Sequence, residues 1–276
     1  MQTPGAERDF APAKINLTLH VTGQRPDGYH LLDSLVVFAD IGDHLTVTPA
    51  TETSLTITGP RARGIPDGPE NLVCRAAEAF GQPAQITLEK HLPAMAGIGG
   101  GSSDAAATLR ALSRATSRPI PPGALSLGAD VPVCVTATAA RMQGIGEVVT
   151  PVPKLPELHG VLVNPGVDVP TPRVFARLGN RTNPPMPQEL PSWASTADLI
   201  DWLHTTRNDL EAPAQALAPE IAETLNVLRD DPACPLARMS GSGATCLALT
   251  DTRKAAEDMA TRLARPQWWV QPVSLT

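Results

Sequence analysis

One stretch constrains this chain more than any other. It runs Pro93-Ala94-Met95-Ala96-Gly97-Ile98-Gly99-Gly100-Gly101-Ser102-Ser103-Asp104 and leads straight into the alanine-rich residues 105–112. Glycine admits positive φ and lets a ligand approach backbone amides. Ser and Asp are N-cap residue types, so a helix is predicted to start at Ser102 or Ser103. The first-turn N–H groups of a helix have no intrahelical partner, and its dipole favours an anion. A glycine loop opening a helix is therefore a phosphate cradle. No Gly-Lys-Ser/Thr follows, so it is not a Walker A loop, and its spacing is not a dinucleotide fingerprint. A tight, well-capped strand-to-helix turn is the plain alternative.

The segment ahead of the loop, Gln85-Ile86-Thr87-Leu88-Glu89-Lys90, alternates as a strand. A second alternating run starts at Ala13: Ile15, Leu17, Leu19 and Val21 share one face, and Lys14, Asn16, Thr18 and His20 the other. That predicts a half-buried strand whose polar face is either solvated or functional. Residues 1–9 read as a loose polar tail with no apolar signal core, so export is not expected. Residues 35–39, 44–48 and 55–58 read as separate strands of a hairpin-rich sheet. Residues 69–80 read as a helix stopped by Gly81. Asp130 sits between a Gly-Ala turn and an apolar run, where it either caps the next element or enters a buried region and needs a partner. Residues 180–196 are polar and proline-rich, and a mobile loop is expected there. Ser240-Gly241-Ser242-Gly243-Ala244 is a second glycine and hydroxyl loop, followed by a strand.

Composition narrows the partners. The 276 residues carry a net charge of −6 with no block of Lys or Arg, which argues against nucleic acid. No apolar run reaches the length of a membrane span. The four cysteines, Cys74, Cys134, Cys234 and Cys246, are scattered without metal-ligand spacing, which fits reduced thiols in a cytoplasm. Pro151-Val152-Pro153-Lys154-Leu155-Pro156 reads as a linker, dividing the chain into residues 1–155 and 156–276.

Pro12-Ala13-Lys14-Ile15-Asn16-Leu17, the glycine loop and the 240–244 loop, in that order, resemble the three motifs of the small-molecule kinases related to galactokinase, homoserine kinase and mevalonate kinase. Arg25-Pro26-Asp27-Gly28-Tyr29-His30 and Leu127-Gly128-Ala129-Asp130-Val131-Pro132 narrow the resemblance to members that act on a cytidylated sugar alcohol in non-mevalonate isoprenoid synthesis. It runs from about Ala11 to the end of the chain. It implies a two-domain α+β kinase fold, with a left-handed βαβ unit in the N-terminal domain, a ferredoxin-like C-terminal domain and a cleft between them. It also implies Asp130 as catalytic base with Lys14 as its partner, and the loop from Pro93 to Ser103 around the ATP phosphates. Mg²⁺ is implied with ATP, with Ser103 as a contact. Tyr29, His30 and Phe175 match positions that bind the cytidine end, Asn16 and Thr171 match polar substrate contacts, and Ser240 lines the cleft. A small-molecule substrate, no nucleic acid or membrane, and a monomer or weak homodimer are expected. The other readings are a kinase of another alcohol, such as mevalonate or homoserine, and a non-catalytic relative.

Two departures stand out. Met95 occupies a position where the family often has a small residue, and positive φ there would strain it. The proline-rich segment before Asp130 is short, so one helix is expected to shrink to a turn.

Overall fold

The computed structural model describes residues 5–276; the first four residues of the expected tail lie outside them. In chain order the elements are β1 (Glu7–Asn16), β2 (His20–Gln24), β3 (His30–Pro49), β4 (Ser54–Thr58), α1 (Leu72–Phe80), β5 (Ala84–Glu89), α2 (Gly100–Thr116), α3 (Val131–Thr136), β6 (Ala140–Gly144), β7 (Val148–Pro151), β8 (Leu158–Asn164), α4 (Thr171–Ala176), α5 (Thr196–His204), α6 (Glu211–Leu217), α7 (Pro219–Arg229), β9 (Leu236–Met239), β10 (Cys246–Thr250), α8 (Arg253–Leu263) and β11 (Trp269–Leu275).

Contacts divide the chain into two compact units, and neither is continuous in sequence. One takes residues up to Lys14, Ile41–Ala94 and Gly99–Ala137; the other takes Ile15–Asp40, Met95–Ile98 and Thr138–Thr276. The division does not follow a single cut at residue 155. One cause is β3, a single strand of 20 residues where two were expected. Gly42, midway along it, marks no turn. It lets β3 run close to β1, since a Cβ there would collide with the carbonyl oxygen of Ala11.

In the first unit β5 pairs antiparallel with the 44–49 part of β3 and parallel with β4. Along β5, Ala84, Ile86 and Leu88 are buried while Gln85, Thr87 and Glu89 face out. The α1 helix forms where expected: the Asn71 side chain accepts from the Val73 N–H, and Gly81 closes the helix at φ 73. Its face of Val73, Ala76, Ala77 and Phe80 packs in one cluster with Ala105, Leu109 and Leu112 of α2. Before Asp130 the chain makes only a 3-10 helix of six residues, Pro122–Leu127, the expected reduction.

In the second unit the strand order is β11-β8-β10-β9, with every neighbour antiparallel. Val161 and Val163 of β8 share a core with Ile221, Leu225 and Leu228 of α7 and Met259 of α8. The early part of β3 pairs with β2 and β6, and β6 pairs antiparallel with β7. Of residues 180–196 only Thr196, the first residue of α5, has regular structure, yet the segment is firmly held. Met186 and Trp193 are buried, and Arg141 donates to the carbonyl oxygens of Met186, Pro187 and Gln188 while pairing with Asp33 at 2.7 Å.

Candidate active site

The segment expected as one half-buried strand forms the end of β1 and the start of β2, and it is buried throughout from Ala11 to Val21. Its polar face is not solvated, so each polar group there requires an internal partner. The Lys14 Nζ lies 3.1 Å from Asp130 Oδ2. Asp130 occupies the N-cap position of α3, yet its side chain makes no capping bond. The carboxylate serves the lysine instead, and keeps 27% of its side-chain surface exposed against 4% for Lys14. Gly99 stands against the pair: a Cβ there would meet Lys14 Cβ and Cε at 3.2 Å and Asp130 Oδ2 at 3.7 Å. Arg110 ties the two elements together. Its guanidinium donates to Cys134 O of α3 at 2.7 Å, and to Asp9 and Phe10 O of β1 at 2.6 and 2.8 Å.

The glycine loop starts its helix earlier than the N-cap pattern predicts. α2 begins at Gly100, with Gly99 as an N-cap at φ 65 that offers no side chain. The first-turn N–H groups are thus left to a ligand or solvent. Ser103 lies inside the first turn, fully buried, and its hydroxyl donates inward to Pro12 O at 2.8 Å. Asp104 does not cap the helix either. It lies 2.8 Å from Lys90, which also pairs with Asp43, and all three are buried. Asp43 in turn accepts from the backbone N–H groups of His91 and Leu92 at 2.6 and 2.9 Å. Burial pushes the Asp104 carboxyl up, to about 8; Lys90 pulls against this and Asp43 adds to it. One ammonium thus faces two carboxylates, and Asp43 alone of the two accepts from backbone N–H groups.

Met95–Ile98 belong to the second unit, where they are clamped by the 240–244 loop. The Ser240 hydroxyl accepts from Asn16 N–H and donates to Gly97 O, both at 3.0 Å. Thr245 N–H donates to Ala96 O at 3.1 Å. Ser240 is fully buried and ties Asn16 to Gly97. Met95 adopts the strained conformation anticipated for it, φ 49, with its side chain out in solvent. The Asn16 side-chain amide donates to Ser34 Oγ at 2.8 Å, and the Thr171 hydroxyl meets Ser242 Oγ at 2.7 Å.

Tyr29, His30 and Phe175 come together only in part. The His30 and Phe175 rings stack, with centroids 4.5 Å apart and planes 20° from parallel. Tyr29 is 60% exposed beside them in sequence. The His30 Nε2 is buried without a hydrogen-bond partner. Burial and the nearby Arg181 hold the His30 pKa below its ordinary value, which favours the neutral ring. A flat aromatic surface with an unsatisfied ring nitrogen suits the face and edge of a heteroaromatic base.

Several residues escaped the sequence reading: Asp43, Lys90, Arg110 and Arg141. Lys90 carried a signal, because it continues the period-2 face of Ala84, Ile86 and Leu88. Among the described residues no three His, Cys, Asp or Glu side chains cluster as a metal site. No helix there is long and apolar enough to cross a membrane.

Residues 71–139 match the family description "GHMP kinases N terminal domain", and residues 188–267 match "GHMP kinases C terminal". A protein of Dinoroseobacter shibae named 4-diphosphocytidyl-2-C-methyl-D-erythritol kinase is 60% identical over 271 residues, covering 96% of this chain and 94% of its own length. A protein of the same name from Cereibacter sphaeroides is 59% identical over 274 residues, covering 96% and 98%. A crystal structure of 4-(cytidine 5'-diphospho)-2C-methyl-D-erythritol kinase superposes with a TM-score of 0.78 at 34% identity, covering 97% of this chain and 98% of that one. A homoserine kinase from Cytophaga hutchinsonii, at 15% identity and a TM-score of 0.63, shares the fold.

Proposed function

We propose the activity from one premise: this chain belongs to the 4-diphosphocytidyl-2-C-methyl-D-erythritol kinases, a family within the GHMP kinases. It transfers the γ-phosphoryl group of ATP to the 2-hydroxyl of 4-diphosphocytidyl-2-C-methyl-D-erythritol. The products are the 2-phosphate and ADP, in the non-mevalonate route to isoprenoid precursors. The observation that carries the chemistry is the Lys14–Asp130 pair at 3.1 Å with Gly99 packed on it.

A sugar hydroxyl attacks phosphorus only as its proton leaves. Asp130, held by Lys14 but part-exposed, accepts that proton. The Lys14 ammonium holds that carboxylate in place and stabilises charge on the phosphoryl group in flight. The bare N-terminus of α2 and the glycines before it hold the ATP phosphates, and most of the remaining rate comes from alignment. Mg²⁺ bound with ATP would sit toward Ser103 at the start of α2 and would screen the phosphates. His30, Phe175 and Tyr29 hold the cytosine, and Asn16 and Thr171 are the polar substrate contacts. Ser240 acts through Asn16 and Gly97.

The finer fold reading has support as well. The sequence β8-helix-β9-β10-α8-β11 with order β11-β8-β10-β9 fits a ferredoxin-like domain. β4-α1-β5, with parallel neighbouring strands, is the βαβ unit to which we assign the left-handed crossover. The family matches at residues 71–139 and 188–267 fall on either side of residue 155, which supports N- and C-terminal kinase regions in that order, while the compact units interleave in sequence. Four free thiols support a cytoplasmic setting.

The test is ADP release from Mg-ATP with the cytidylated substrate, mevalonate or homoserine offered in turn. Release with the cytidylated alcohol alone is expected. Release with mevalonate or homoserine instead overturns the substrate. No release with any alcohol, despite bound ATP, overturns the kinase reading.

A further inference from the structure

A cavity of about 460 Å³ in the second unit is lined by His204, Arg207, Asn208, Glu211, Arg229 and Arg238, among others. None of these residues belongs to the site described above. Two of its three arginines have carboxylate partners: Arg207 pairs with Asp209 at 2.6 Å, and Arg229 with Glu211 at 2.9 Å. Arg238 has none. Its guanidinium donates to the carbonyl oxygens of Leu17, Leu203 and Thr206 and to the Thr206 hydroxyl, at 2.6 to 3.0 Å. These are neutral acceptors, and the residue is only 9% exposed. Glu211, the carboxylate in the cavity wall, is engaged elsewhere: it also accepts from Met239 N–H at 3.0 Å.

A buried charge without a counter-charge is costly, and the cost is relieved by an anion from outside. The consequence is visible in Arg238 itself, whose pKa burial pulls down to about 10 despite Glu211. The wall is already ordered. The Asn208 amide donates to Met239 O and Gly241 O at 2.8 and 2.9 Å, and its oxygen accepts from Leu210 N–H. In a chain of net charge −6, this local excess of positive charge is a specific feature.

We propose that this cavity is a binding site for the phosphate group of a small metabolite, with Arg238 as its buried cation and Arg207 and Arg229 as its solvent-reaching forks. Guanidinium groups match the geometry of a phosphate, and the volume admits a small ester as well as the free ion.

The test is calorimetric titration and thermal unfolding with inorganic phosphate and, separately, glycerol 3-phosphate. Chloride at equal ionic strength is the control. Mg²⁺ and a non-hydrolysable ATP analogue are kept saturating, so that the glycine loop is already filled. Phosphate is expected to bind at one site and to raise the Tm of the wild type. Arg229→Gln and Arg207→Gln should each weaken that binding by ~10-fold, the loss of one charge-assisted hydrogen bond. ADP release by both variants should be unchanged, which separates this site from the kinase site. A tighter response to glycerol 3-phosphate identifies an ester as the ligand, and an equal response identifies the free ion. The proposal is overturned if phosphate acts no differently from chloride, or if both variants bind it as the wild type does.

Discussion

Lys14 and Asp130 meet at 3.1 Å although one lies on strand β1 and the other occupies a helix N-cap position it does not use. The lysine is buried and the carboxylate is not. That asymmetry fits a cation that positions and a base that reacts. Asp130→Asn keeps the shape and removes the proton acceptor. Turnover should fall by ~10²–10⁴-fold while ATP affinity stays close to the wild type. Steady-state kinetics with an ATP-binding measurement checks both, and near-normal kcat would remove Asp130 from the role of base.

The His30–Phe175 stack predicts a split between the two substrates. Phe175→Leu removes the ring face but keeps most of the apolar volume, and should raise KM for the cytidylated alcohol by ~5–10-fold, the value of one aromatic stack. KM for ATP should not move. A change confined to ATP would reassign this side of the molecule.

In the Asp43–Lys90–Asp104 cluster the two carboxylates should respond differently. Asp43 accepts two backbone N–H groups and the lysine, so Asp43→Asn should destabilise by ~3–5 kcal/mol. Asp104 has a raised folded pKa, so its burial costs nothing below the ordinary value of 3.8 and progressively more as pH rises toward about 8. Asp104→Asn should therefore gain on the wild type across that window. Urea unfolding of both variants as a function of pH decides this, and a constant difference for Asp104→Asn would be the contrary result.

His20 gives a second pH dependence. Burial, then Arg207, depress its pKa below 6.5, and its ring bonds Pro184 O through Nδ1 and the Arg207 N–H through Nε2. Folding thus favours the neutral ring. Stability is full above 6.5 and falls as the pH drops below it, because the unfolded chain takes up the proton first. An NMR titration placing the His20 ring above 6.5 would contradict this.

Two loop substitutions should act in opposite directions. Met95→Gly relieves a positive φ at an exposed side chain and should gain up to ~1 kcal/mol. Gly97→Ala places a Cβ at 2.5 Å from Ser240 O and 2.7 Å from Gly243 N, at φ +72. It should lose ~1–3 kcal/mol and raise KM for ATP. Thermal unfolding of the pair, with ATP kinetics, gives the comparison.

Local sterics and local hydrogen bonding were legible along the chain. The glycines before α2, the stop at Gly81, the alternation of β5 and the shared face of Lys14 and Asn16 all follow from residue type and spacing, and the strain at Met95 from its departure from the family's pattern. The pairing of Lys14 with Asp130 was implied only by the family resemblance, and the fold supplies its geometry, 3.1 Å. Other properties depended on what lies opposite a side chain, which no local pattern encodes. Ser103 and Ser240 have the residue type of ligand contacts, but each found an acceptor or donor in a distant segment and turned inward; Asn16 and Ser240 stand 224 positions apart. Asp104 has the type of a helix cap, but burial beside Lys90 made it part of an ion cluster. Residues 180–196 have the composition of a mobile loop, but Arg141 holds three of their carbonyls. The sequence by itself determined which backbone shapes were open to each segment. The tertiary structure decided which polar groups were left for a ligand, because a buried polar group must first be satisfied by whatever the fold brings against it.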